Sequence, residues 1–80
     1  MKYTSGTERA LRSIVAENVK KRRLSLGLSQ EQLAEASGFH RTYIGSVERG
    51  ERNITLSTLE ALAIILETSP EQLIKGSKNG

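Results

Sequence analysis

The sequence predicts an all-α, compact domain of five helices, and three observations carry that expectation. Apolar residues recur at three- and four-residue spacing through Leu11, Ile14, Val15 and Val19, and again through Leu56, Leu59, Leu62, Ala63 and Leu66. That period places side chains on one face of a helix. Two stretches, Ser29-Gln30-Glu31-Gln32 and Ser69-Pro70-Glu71-Gln72, carry a hydroxyl residue followed three positions later by glutamine. In that pattern side chain and backbone amide satisfy each other at a helix N-terminus. No stretch alternates apolar and polar residues in the manner of a strand.

Taken in order, residues 1–7 have no hydrophobic period and read as a flexible arm, so the domain is expected over 8–76. Helix 1 starts near Glu8, carries the first apolar stripe as far as Leu26 and stops at Gly27. Helix 2 follows its cap at Ser29 and runs from Gln30 to Ser37, where Gly38 permits the positive φ of a sharp turn. Helix 3 spans Arg41 to Arg49 with Ile44 and Val47 on one side; His40 caps it or faces solvent, and Gly50 ends it. Thr55 caps helix 4, whose stripe from Leu56 to Leu66 is assigned to the core. Helix 5 begins with Pro70 at its first position and holds Leu73 and Ile74, and 77–80 are expected to fray.

Composition removes several function classes. Cysteine is absent and His40 is the single histidine, which leaves no disulfide, thiolate or histidine-cluster chemistry and no expected metal or cofactor. There is no paired nucleophile and base and no phosphate-cradling glycine loop, so neither an enzyme nor a small-molecule ligand site is expected. The longest apolar run, Leu59 to Leu66, is interrupted by Glu60 and falls far short of the ~20 residues of a membrane span. With no apolar leader at the N-terminus, a cytoplasmic protein with no membrane partner is expected.

Charge is unevenly placed. Residues 1–25 hold Lys2, Arg9, Arg12, Lys20, Lys21, Arg22 and Arg23 against Glu8 and Glu17, a balance of +5 within a net +3, while Ile54 to Ile74 holds only Glu60, Glu67 and Glu71. A polyanion would attract the first helix and repel the other end. A solvated basic helix is the alternative.

Helices 2 and 3 have the makings of a helix-turn-helix. Ala34 is small enough for a helix crossing, Gly38 suits the turn, Phe39 fills the space beneath it, and Leu33, Ile44 and Val47 close a small core. The string Gly27-Leu28-Ser29-Gln30-Glu31-Gln32-Leu33-Ala34, followed by Ile44, Glu48-Arg49-Gly50 and Asn53, resembles the Cro and lambda-repressor (Xre) family over about Val15 to Ile74. His40-Arg41-Thr42-Tyr43-Ile44 with Glu48-Arg49-Gly50 and Arg52-Asn53 further resembles the controller proteins of restriction–modification systems. The resemblance implies a lambda-repressor-like five-helix fold and a transcriptional regulator that binds double-stranded DNA as a homodimer. It also implies that Glu48 pairs with Arg23; the sequence departs from it at Arg22, where an apolar residue is usual, and there the aliphatic stem is expected to pack while the guanidinium reaches solvent or phosphate.

With Ile44 and Val47 turned inward, a ~100° step leaves Thr42, Gly45, Ser46 and Arg49 outward and Arg41 at the N-terminal end, the end that enters the major groove in this motif. Arg41, Thr42 and Ser46 are the candidate base contacts, Arg41 through guanine O6 and N7 or else through a phosphate. Ser29, Gln30, Tyr43, Arg49, Arg52 and Asn53 are the candidate backbone contacts. Ser29 and Gln30 act beside the free amides of a helix N-terminus; Tyr43 serves equally for packing, and Asn53 for a turn. Gly45 marks either a close approach or a tolerated defect. Ile64, Ile65 and Ile74 form the candidate dimer interface about a two-fold axis, which implies a palindromic operator, unless helix 1 or 5 buries them within one subunit. An antitoxin-type or adaptor protein using the motif for protein contact is the alternative function.

Overall fold

A computed structural model describes residues 5–76, with side chains from position 11 onward. Five helices follow one another: α1 (Ser5–Ser25), α2 (Gln30–Ser37), α3 (Arg41–Glu48), α4 (Leu56–Ile65) and α5 (Pro70–Leu73), with no strand among the described residues. α1 begins three residues before the expected start at Glu8, so Ser5–Thr7 continue the helix and are not part of an arm. Adding residues to a nucleated helix needs only backbone hydrogen bonds, which leave no apolar period to read. The remaining arm residues, 1–4, and the expected frayed end, 77–80, lie outside the described residues.

The helix ends follow local chemistry. Ser29 Oγ accepts from the Gln32 amide at 2.9 Å while Gln32 Oε1 accepts from the Ser29 amide at 2.8 Å, closing the reciprocal cap of α2. Gly38, at φ +80°, takes the left-handed conformation and donates to Ala34 O at 2.9 Å. Phe39 donates to the same carbonyl at 3.1 Å, and two residues later α3 begins, with His40 Nδ1 accepting from Thr42 N at 3.3 Å. Thr55 and Ser69 cap α4 and α5 through the amides of Thr58 and Gln72. α3 closes one residue earlier than expected, with Arg49 as its C-cap.

Packing collects Val15 and Val19 of α1, Leu33 and Ala34 of α2, Ile44 of α3, Leu59, Leu62, Ala63 and Leu66 of α4 and Leu73 of α5 into one core, with Leu26, Phe39, Ile54 and Ile65 at its rim. Three members of the apolar stripes stay outside it: Leu56 is 84% exposed, Leu11 51%, and Ile14 is half-buried. Helical side chains lean toward the N-terminus, so a residue in the first turn of α4 reaches beyond the elements that cover the rest of its stripe.

Two polar side chains tie the elements together. α4 ends with Glu67 at φ 57° and Thr68 N bonded to Ala63 O at 2.9 Å, a helix stop with a non-glycine residue in the left-handed position. Arg22 stabilises this end, its Nε donating to Leu66 O at 2.7 Å and its Nη2 to Glu67 O at 2.9 Å. The guanidinium expected in solvent or at phosphate is thus spent on carbonyls at the negative end of α4, which a cation favours. One turn earlier, Asn18 donates to Leu73 O at 2.8 Å and to Lys75 O at 2.9 Å, fixing the short α5.

Candidate nucleic-acid interface

α2 and α3 meet through Leu33, Ala34, Ile44 and Val47, all buried, and α1 packs behind α3. α3 is therefore held on its inner side, and its first residues, Arg41 and Thr42, stand exposed. Ser29 is exposed at the neighbouring N-terminus of α2, whose first amides lack intrahelical acceptors. Two helix N-termini with a free guanidinium and two hydroxyls suit an anion, since amide dipoles and cationic charge act in the same sense.

The C-terminal half of α3 is built differently. Glu48 accepts two bonds from Arg23, at 2.6 Å from Nε and 2.9 Å from Nη2, with side chains 3% and 8% exposed. The hydrogen bond to Glu48 and its negative charge hold the Arg23 guanidinium above its ordinary pKa despite burial. Arg23 Nη1 also donates to Leu28 O at 2.8 Å, and Gln30 Nε2 donates to Glu48 Oε1 at 3.1 Å. A buried pair satisfied on several sides avoids the cost of an orphaned charge. It also engages Gln30, whose amide nitrogen faces into the domain while its backbone remains at the α2 N-terminus.

Ser46 departs from expectation. Placed among the base contacts by the helical step, it is only 5% exposed. Its hydroxyl donates to Tyr43 O at 2.7 Å and accepts from Arg52 Nε at 2.9 Å. The loop after α3 folds back and covers it, which a periodicity argument on α3 alone does not see. The same Arg52 guanidinium lies 5.2 Å from the centre of the Tyr43 ring, and that ring sits 5.3 Å from Phe39. Arg52 and Tyr43 thus form one stacked unit on an edge of α3, with Arg52 exposed. Arg49, also exposed, donates to Glu51 Oε2 at 3.0 Å. Asn53 Oδ1 accepts from Arg12 Nη1 at 3.4 Å, which ties the loop to α1.

The basic run of α1 divides. Lys20 and Lys21 are exposed, while Arg22 and Arg23 are committed inside the domain. On the far side, Ile64 is 70% exposed and Ile74 43%, whereas Ile65 packs against the core and is half-buried. Ile65 therefore contributes first to the core of its own chain, lying three residues after Leu62 and next to Leu66. Asn18, Arg22 as a helix cap and the Ser46–Arg52 bond carry no periodic signal, since their partners lie far along the chain or in a loop. Among the described residues no three metal-ligating side chains cluster and no helix is long and apolar enough to cross a membrane.

The helix-turn-helix family HTH_3 matches residues 19–73. The control protein C.SmaI of Serratia marcescens is 61% identical over 71 residues, covering 86% of this chain and 84% of that protein. The crystal structure of the restriction-modification controller protein C.AhdI from Aeromonas hydrophila superposes with a TM-score of 0.76 at 41% identity, over 80% of this chain and 97% of that one. SinR, the master regulator for biofilm formation, was crystallised in complex with DNA and superposes with a TM-score of 0.73 at 29% identity, over 76% of this chain and 98% of that one.

Proposed function

The chain belongs to the helix-turn-helix family HTH_3, and from that premise we propose that it is a DNA-binding transcriptional regulator of the restriction–modification controller type, acting in the cytoplasm as a homodimer on a palindromic operator. The observation that carries the reading is the exposed pair Arg41 and Thr42 at the N-terminal end of a helix fixed from behind. Arg41 reads guanine through two hydrogen bonds and Thr42 adds a hydroxyl and a methyl. Ser29, the α2 amides beside Gln30, Tyr43, Arg52 and Asn53 position the phosphates. No cofactor or small-molecule ligand enters this account. Similarity to C.SmaI and C.AhdI favours a controller over an antitoxin or an adaptor.

For the dimer, Ile64 near the end of α4 and Ile74 just after α5 are exposed apolar residues, and Ile65 supports them from the core rim. A two-fold axis through this side sets two α3 helices about 34 Å apart, one turn of DNA. Selection of bound duplexes from random DNA is the test. The reading expects a symmetric consensus whose half-sites are one turn apart, and absence of enrichment overturns it. For the dimer, Ile64→Asp should give a folded monomer by sedimentation and circular dichroism, with weakened operator binding. A folded dimer of unchanged affinity excludes this interface.

A further inference from the structure

Arg41, Gly45 and Arg49 lie four residues apart along one row of α3, and the middle member has no side chain. Glycine inside a helix lowers its stability relative to alanine, so its presence in an eight-residue helix calls for a local cause. Gly45 is buried although its row faces outward. A Cβ placed on it would lie 3.2 Å from Arg49 Nη1 and 3.7 Å from Gln30 Oε1. The Arg49 guanidinium therefore folds back along the helix and lies against Gly45 more closely than a Cβ there would ordinarily allow.

That guanidinium is held by Glu51, whose Oε2 accepts from Arg49 Nε at 3.0 Å. The Arg49 side chain nevertheless remains 58% exposed. With Nε engaged, the Nη1 and Nη2 N–H groups are left for a ligand.

We infer that Arg49 is a second base-reading residue, its two Nη groups donating to O6 and N7 of a guanine, and that Gly45 and Glu51 are the residues that position it. The inference rests on α3 being the DNA-reading helix and refines that reading. It changes the role expected for Arg49 from the helical step alone, which was a phosphate contact. Folded back over Gly45, the guanidinium lies on the same row of α3 as Arg41, the residue assigned to a base.

The experiment measures affinity for the selected operator and for duplexes with each base pair replaced in turn, using the wild-type chain, Arg41→Lys, Arg49→Lys and Gly45→Ala. The wild type should discriminate about tenfold at two separate G·C pairs in each half-site, the range of a bidentate guanine contact. Arg49→Lys keeps the charge but not the planar fork, and should flatten the preference at one of these pairs, leaving the pair read by Arg41 intact. Arg41→Lys should do the reverse. Gly45→Ala should melt no lower than the wild type yet lose the Arg49-dependent preference, a combination that a purely structural glycine does not produce. A uniform affinity loss or no change for Arg49→Lys overturns the base assignment, and full discrimination by Gly45→Ala overturns the positioning role. If the wild type binds DNA without base preference, the DNA-reading function fails first, and this assignment with it.

Discussion

The two ends of α3 follow opposite plans. At the N-terminal end Arg41 and Thr42 are exposed, whereas from Tyr43 onward most polar groups have a partner in the chain: Ser46 with Arg52 and Glu48 with Arg23 and Gln30 within the domain, and Arg49 with Glu51 at its surface. A side chain that meets its ligand from solvent loses rotamer freedom at that moment, while a braced one has lost it on folding. The contrast assigns adaptation to the first turn and rigidity to the rest. It also predicts that substitutions at the two ends separate binding from stability.

The largest effect belongs to Glu48→Ala. It leaves the Arg23 guanidinium buried without its carboxylate, and loss of one partner from such a pair costs about 3–5 kcal/mol. Chemical denaturation should show that loss, whereas Arg41→Ala should stay within about 0.5 kcal/mol of the wild type while losing base discrimination. Equal stabilities for the two variants would erase the distinction between the ends.

A second test carries the contrast to α1, where neighbouring cations have different tasks. Arg22→Ala removes two hydrogen bonds from a charged donor to the end of α4, and bonds of this kind are worth about 1.5–3 kcal/mol. Lys20→Ala or Lys21→Ala should leave stability unchanged. A lysine that meets a phosphate should instead reduce the slope of log affinity against log salt by about 0.9. If Arg22→Ala changes the salt slope and not the midpoint of denaturation, Arg22 serves DNA and not the helix end.

Ser46→Ala comes next, with a loss of about 1 kcal/mol from its hydrogen bonds. It should also free Arg52 from one of its two supports, the other being the Tyr43 ring. Spectroscopy of the Tyr43 ring in the free protein reads that change directly. An unchanged ring environment would mean that stacking alone positions Arg52.

These pairs also explain what sequence reasoning reaches. The Ser29–Gln32 cap, the Gly38 turn and the core set Leu33, Ala34, Ile44 and Val47 depend on residues within one or two turns of each other, so spacing reveals them. Arg41 and Thr42 are outward for the same reason. Ser46 is misread because the residue that covers it, Arg52, belongs to a loop whose path no period describes. Arg22 is misread because its acceptors are backbone carbonyls 44 and 45 positions away, and a carbonyl carries no residue identity. Gly45 is visible as an anomaly, but its neighbour Arg49 becomes the cause only once side-chain direction is known.

The smallest expected effect is the most direct test of how far a period can be trusted. Leu56 and Leu59 sit three residues apart on the same stripe of α4, and by spacing both belong to the core. In the folded chain Leu56 is 84% exposed and Leu59 7%. Burial, and not helical phase, sets the energy of an apolar side chain, because only surface removed from water contributes. Leu59→Ala should therefore cost about 2–5 kcal/mol, the range for a buried leucine. Leu56→Ser should stay within about 0.5 kcal/mol, as a surface substitution does. Thermal melting of the two variants side by side decides the matter, and a loss of 2 kcal/mol or more for Leu56→Ser would return it to the core, where the period put it. Repeating the melt over a range of protein concentration separates a lost core contact, whose cost is independent of concentration, from a lost contact between subunits, whose cost grows as the assembly is diluted.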